Sequence, residues 1–279
     1  MCMKMNKMKR VAVLQDISGL GRCSLAAALP VLCAMGVQCC PVPTAVYTNQ
    51  TGFPRFASLD CGALLRDFIS LWKEHGVALD GVYTGFMANA SQLAAANEFI
   101  DAFRAPDTLL LIDPVMGDGG NIYPCFDEAF CEAMRAFAAQ ADIITPNVTE
   151  ACILTGTPYA FFAARNEAEQ LALLECMCAA LPPRQVVITG WHRGDKIRNA
   201  ARDNGAFTVY ESPAVGGSWS GTGDLFASAL CGGLVKGESL DTAVRRAMRF
   251  LEPALQDAKR LGAAGVEGVP FELHLKELL

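Results

Sequence analysis

Five short apolar runs, at residues 11–14, 81–83, 108–112, 143–144 and 186–189, are bounded by turn formers and separated by Ala/Leu-rich stretches of helical length. The runs read as strands. The intervening stretches predict helices over 24–35, 59–75, 91–103, 127–140, 166–180, 223–236 and 240–258. Strand and helix in alternation predict an α/β fold, a doubly wound, mostly parallel sheet with helices on both faces and right-handed crossovers. Ligands in such sheets bind beyond the carboxyl ends of the strands. Asp16, Ser18, Asp113, Asn147 and Gly190 all fall there. No linker, repeat or low-complexity segment interrupts the alternation, so residues 1–279 are expected to form a single domain. The glycine-rich stretch 262–268 is expected as a surface loop before a short closing segment.

Composition narrows the class. A chain of 279 residues can bury a large core. With 52% hydrophobic and 19% charged residues it reads as compact and globular, not disordered. A net charge of -6 argues against a nucleic-acid surface, since phosphate backbones are bound by clustered Lys and Arg. Residues 1–10 are basic, but the run at 11–14 is too short for a signal segment or a membrane span, so a cytoplasmic location with no membrane partner is expected. Most of the 12 cysteines sit among Ala, Leu, Val and Met, none forms a C-x-x-C pair, and the three histidines are far apart. They read as small apolar fillers, not as zinc or redox centres.

The most informative stretch is 216–224, Gly-Gly-Ser-Trp-Ser-Gly-Thr-Gly-Asp, which runs into an apolar helical segment. Gly221, Thr222 and Gly223 leave backbone N–H groups uncovered at a helix N-terminus, where free donors and the macrodipole favour an anion. A carboxylate is the wrong group to bind a phosphate. Asp224 at that place therefore reads as a base taking a proton from an attacking hydroxyl, although Asp is also an ordinary helix cap. Asp113-Pro-Val-Met-Gly-Asp118 follows an apolar strand with two carboxylates on a turn, a pattern that suits a hard cation such as Mg²⁺. Thr145-Pro-Asn-Val-Thr-Glu150 supplies a hydroxyl, an amide and a carboxylate, and Asn147-x-x-Glu150 also reads as a helix cap with its capping glutamate.

Rival classes fit less well. Gly19-x-Gly21-x-x-Ser24 is an incomplete dinucleotide fingerprint, and the region some twenty residues on has no acid for a ribose hydroxyl. No G-x-x-x-x-G-K-[ST] is present, which excludes a P-loop kinase. A non-catalytic binding protein of the same shape would have no need for both an anion site and Asp224.

Taken in order, these motifs resemble the ribokinase superfamily and, within it, the pyridoxal and pyridoxamine (vitamin B6) kinases, over essentially the whole chain. The resemblance implies a ribokinase-like fold with Asp224 as catalytic base beside an anion hole at Gly221, Thr222 and Gly223. It implies Mg²⁺ near Asp118 and Glu150, and ATP along Asp113, Thr145, Asn147, Glu150, Thr189, Gly190 and Thr222. Thr48-Asn-Gln-Thr-Gly-Phe53 is similar to the B6-kinase signature, whose second threonine, here Thr51, contacts the ring substituents. Asp16 stands where many such enzymes carry serine, with Ser18 two residues on, and Tyr47 and Phe86 complete the expected ring pocket. The implied reaction is ATP-dependent phosphorylation of the 5′-hydroxymethyl group of a B6 vitamer. K⁺ is an optional monovalent cation, and a homodimer is expected because dimers are common in the family. The alternative is hydroxymethylpyrimidine kinase of thiamin synthesis, whose members tend to carry cysteine at the position of Asp224.

Overall fold

The computed structural model describes residues 8–279, so residues 1–7 of the basic start, Cys2 among them, lie outside the described residues. In chain order the elements are β1 (Arg10–Ser18), α1 (Ser24–Ala34), β2 (Gln38–Tyr47), β3 (Ser58–Asp60), α2 (Leu64–Glu74), β4 (Gly81–Thr84), α3 (Ala90–Phe103) and β5 (Leu109–Ile112). A small hairpin, β6 (Gly117–Asp118) and β7 (Asn121–Ile122), leads to α4 (Glu128–Ala138), β8 (Ile143–Ile144), α5 (Val148–Thr155), α6 (Tyr159–Ala163) and α7 (Glu167–Ala180). The chain continues through β9 (Gln185–Arg193), β10 (Lys196–Asp203), β11 (Ala206–Pro213), α8 (Thr222–Val235) and α9 (Leu240–Leu261).

The main sheet has nine strands in the order β11-β10-β9-β8-β5-β4-β1-β2-β3. The six strands from β9 to β2 are mutually parallel, and β3, β10 and β11 add antiparallel edges. The five expected strands form the middle of this sheet. One core lies under α2 to α7, with Phe99, Phe130 and Leu174 in it, and the other lies under α1, α8 and α9, with Leu32, Leu230 and Phe250. Asn89, Asp127 and Ser239 cap α3, α4 and α9, and Asn147 and Asn166 form capping boxes on α5 and α7.

Three expectations need correction. The helix predicted over 59–75 begins at Leu64, because residues 58–60 pair with β2 as an edge strand. Strand β2 was not foreseen: Pro41 and Pro43 argue against a central strand, yet β3 covers only Ala45–Tyr47, so both prolines face an unpaired edge. The β10–β11 hairpin was also not foreseen, although Asn204 (φ 47°) and Gly205 (φ 97°) supply the left-handed pair that a tight turn needs. The eleven cysteines among the described residues are free.

Candidate active site

The carboxyl ends of the parallel strands open into a cleft of about 1430 Å³. That exceeds the roughly 300–1,000 Å³ of a site for one small ligand and leaves room for a nucleotide beside a second substrate. Every residue expected from the sequence to serve the site lines this cleft, from Asp16 and Ser18 on β1 to Asp224 on α8.

Helix α8 presents an uncapped N-terminus to the cleft. Its N-cap is Gly221 in the left-handed conformation (φ 78°), with no capping side chain. A Cβ there would overlap the carbonyl oxygen of Arg22, so the close approach of the β1–α1 loop demands glycine. Asp224 lies in the first turn, close enough to the backbone N–H of Ser24, the first residue of α1, for that donor to favour its charge. Burial, and to a lesser degree the charge of Asp16, raises the Asp224 carboxyl to about 7, against the Ser24 N–H. A base poised near neutrality suits proton transfer at physiological pH. Helix α1 has no capping side chain either. Ser24 itself sits at φ 48°, a costly conformation for serine that the loop imposes.

A second group of acids faces α8. Asp113 ends β5 with Oδ2 3.9 Å from the position of a Cβ on Gly223. Burial, then the charges of Glu150 and Asp224, hold its carboxyl well above the usual range, with the Thr145 hydroxyl opposing. Glu150 Oε1 accepts the Met116 N–H at 3.1 Å and Oε2 accepts the Asn147 N–H at 2.8 Å, so the capping box exists. Burial pushes Glu150 upward against these backbone donors. Asp118 is exposed on the β6–β7 hairpin, where Oδ1 accepts the Gly119 N–H at 2.7 Å. Asn147 bridges in parallel to Thr189, whose N–H reaches Pro146 O at 2.8 Å, and Asn199 Oδ1 accepts the Gly190 N–H at 3.2 Å.

The other end of the cleft is aromatic. Tyr47 meets Phe56 and Phe86 edge-on, at 5.7 and 6.4 Å between centroids. Asp16 is 4% exposed; burial raises it, while the Ser24 and Ser18 hydroxyls favour its charge, Ser18 Oγ donating at 3.1 Å. Thr51 is exposed at the mouth, on a turn in which Gln50 Oε1 accepts the Gly52 N–H at 2.6 Å. This turn explains the incomplete dinucleotide fingerprint. A Cβ on Gly19 would come within 2.8 Å of Thr48 O and one on Gly21 within 2.8 Å of Gln50 Cβ, so both glycines admit the turn and bind no pyrophosphate.

Sequence reasoning missed three contributors. Ser24 was read only as the end of that fingerprint. Tyr123 lines the cleft among Glu150, Asp118, Asp113 and Asp224, and burial followed by their charges drives its hydroxyl upward, but nothing local in the sequence marks it. The stretch 262–268 is largely exposed, as expected of a surface loop, but it also reaches the site: Gly265 and Val266 line the cleft, and Gly265 O accepts the Ser220 N–H at 2.8 Å.

An uncapped helix N-terminus carrying a carboxyl raised to about 7, opposite an acidic pair at the ends of a mostly parallel sheet, is the arrangement of a ribokinase-like kinase. Residues 23–269 match the phosphomethylpyrimidine kinase family, and the chain belongs to that family, which includes pyridoxal kinases among its relatives. Two crystal forms of a Bacteroides thetaiotaomicron protein, assigned as a phosphomethylpyrimidine kinase, are 35% identical to the chain. The rhombohedral form gives a TM-score of 0.91, covering 99% of this chain and 96% of that one. The orthorhombic form, with pyridoxal, gives 0.88 and covers 98% and 96%. A pyridoxine/pyridoxal/pyridoxamine kinase of Bordetella bronchiseptica is 29% identical over 258 residues, 87% of each chain. A hydroxymethylpyrimidine/phosphomethylpyrimidine kinase of Bacillus subtilis is 28% identical over 188 residues, 66% of each chain. Among the described residues no helix is long and apolar enough to cross a membrane.

Proposed function

We propose that the chain transfers the γ-phosphoryl group of ATP to the 5′-hydroxymethyl group of pyridoxal, pyridoxamine or pyridoxine. The observation that carries this reading is Asp224, a carboxylate raised to about 7 in the first turn of an uncapped helix. Asp224 takes the hydroxyl proton as the oxygen attacks phosphorus. The N–H groups around Gly221, Thr222 and Gly223 face the charge that spreads over the transferring oxygens, already oriented before the reaction. The ring lies against the Tyr47 and Phe86 pair, with Asp16, Ser18 and Thr51 reading its substituents. The nucleotide runs over Asp113, Thr145, Asn147, Glu150, Thr189, Gly190 and Thr222.

The donor set fits a hard cation, because the acids at this end offer only oxygen. Mg²⁺ would be held by Asp118, with Glu150 behind it, and would neutralise phosphate charge. Among the described residues no three His, Cys, Asp or Glu side chains form a metal cluster, so the remaining ligands would come from phosphates and water. Pyridoxal in the Bacteroides protein supports the B6 reading, and Asp224, where pyrimidine kinases tend to carry cysteine, agrees with it. The family match and the Bacillus subtilis relative favour hydroxymethylpyrimidine as the second reading. Steady-state ATP consumption with the three vitamers and with hydroxymethylpyrimidine separates them. A much higher kcat/KM for the pyrimidine would overturn the B6 assignment.

A homodimer is part of this proposal. Ile17, Val46 and Leu59 are cross-strand neighbours on β1, β2 and β3, and they are 40%, 41% and 66% exposed on one face of the sheet edge. An apolar stripe of this kind suits a second copy of the chain. A monomeric mass by light scattering at micromolar protein would refute it.

A further inference from the structure

Three backbone segments converge beside the anion site: the β1–α1 loop at Arg22, the stretch 218–221 leading into α8, and the glycine-rich tail after α9. The tail touches both of the others. Gly265 O accepts the Ser220 N–H at 2.8 Å, Glu267 O accepts the Arg22 N–H at 3.1 Å, and Ala263 O accepts Trp219 Nε1–H at 3.1 Å. The packing leaves no room for side chains. A Cβ on Gly268 would stand 2.9 Å from Ser220 O, 2.9 Å from Arg22 Cβ and 3.1 Å from Arg22 O, and one on Gly265 would stand 2.6 Å from Ser218 O. Arg22 O in turn fills the space where Gly221 lacks a Cβ. A Cβ on Gly221 would also stand 3.0 Å from Cys23 Cα, and the next residue, Ser24, turns its N–H so as to favour the charge of Asp224. An unbroken path of backbone contacts therefore joins the tail to the base and to the first N–H groups of α8.

We infer that the C-terminal tail is a positioning element of the reaction: residues 263–268 clamp the Arg22 loop against the anion loop, and Gly265 and Gly268 act as positioning residues that fix Asp224 and the phosphate-facing N–H groups. The inference rests on the role proposed above for Asp224 and its helix. The clamp touches none of the residues expected to bind the ring, so its loss should act on turnover and not on substrate affinity. Misplacing reacting groups by about 1 Å costs on the order of 10² in rate.

The test uses a matched set of glycine-to-alanine variants in the full chain. Gly262 (φ 63°, ψ 33°) is left-handed and a Cβ there meets nothing within 4 Å, whereas Gly268 (φ 83°, ψ -178°) combines a close contact with a conformation that is essentially glycine's alone. Gly268→Ala should lower kcat by roughly 10- to 100-fold, with both KM values staying within about threefold. Gly262→Ala places a positive-φ alanine in the same tail without the contact and should keep parental kcat. Gly265→Ala, at a position with no positive φ, should lower kcat through the contact alone and keeps the test usable if Gly268→Ala fails to fold. Parental kcat in folded Gly268→Ala and Gly265→Ala, or an equal loss in Gly262→Ala, would overturn the inference. If Asp224→Asn were itself fully active, the reading of the site would fall instead, so the two failures are distinguishable.

Discussion

The two ends of the cleft are built from different material. At the proposed phosphate end the chemistry is set by backbone: Glu150 accepts the N–H groups of Met116 and Asn147, the Ser24 N–H favours the charge of Asp224, and the first turn of α8 is left uncapped. At the ring end it is held by side chains: the Tyr47, Phe56 and Phe86 edges, the Asp16–Ser18 pair, and the exposed Thr51. Backbone donors survive most substitutions around them, whereas a ring pocket changes with each side chain. The phosphate end should therefore fix the reaction and the ring end the acceptor.

The sharpest way to break that division is at Asp224. Asp224→Asn keeps the shape and removes the basicity, so turnover should fall by roughly 10²–10⁴ with every acceptor alike, the usual size of a general-base contribution. The parent's kcat/KM should fall as pH drops below about 7, because the base must be unprotonated to work. A loss confined to one acceptor would dissolve the distinction between the two ends.

Asp118→Ala comes next. Asp118 is the exposed acid of this end, so its loss should raise the Mg²⁺ concentration for half-maximal rate by about tenfold and leave the KM of the acceptor alone. Identical Mg²⁺ titrations of parent and variant would reduce Asp118 to turn chemistry. At the ring end, Thr51→Val keeps volume and removes a hydroxyl. Thr51 is exposed in the free protein, so the effect should be about 1 kcal/mol, or roughly fivefold in kcat/KM for B6 vitamers. ATP affinity should not move. An effect on ATP equal to that on the vitamer would place Thr51 outside the ring pocket.

The two ends also differed in how far the sequence revealed them. Gly221, Gly223 and Asp224 are contiguous and lead an apolar helix, and the acids follow apolar strands, so local pattern was enough. The central parallel strands were legible for the same reason. The ring end depends on β2 and β3, which the prolines at 41 and 43 disguised and which place Tyr47 and Phe56 only through tertiary pairing. Tyr123, Ser24 and the tail escaped because their roles arise from contacts across up to some two hundred and fifty residues, as between Glu267 and Arg22, which no periodicity records.

The expected effect on stability has the opposite sign to the largest effect on rate. Burial lifts Asp224 from an ordinary 3.8 to about 7 in the folded chain. As pH rises from about 4 to 7 the unfolded chain releases this proton while the folded chain retains it, so the folded state loses stability across that window, and the full deficit persists above it. Asparagine carries no such deficit. Asp224→Asn should therefore be more stable than the parent at pH 8, by about 2–4 kcal/mol at most, since each pKa unit is worth about 1.4 kcal/mol and the group opens partly to the cleft. Thermal melts should show a gain of a few degrees at pH 8 that shrinks towards nothing at pH 4. A variant that melts lower than the parent at pH 8, or whose gain is the same at both pH values, would mean that the carboxylate is not held at an energetic disadvantage. The phosphate end would then be no more strained for its chemistry than the ring end.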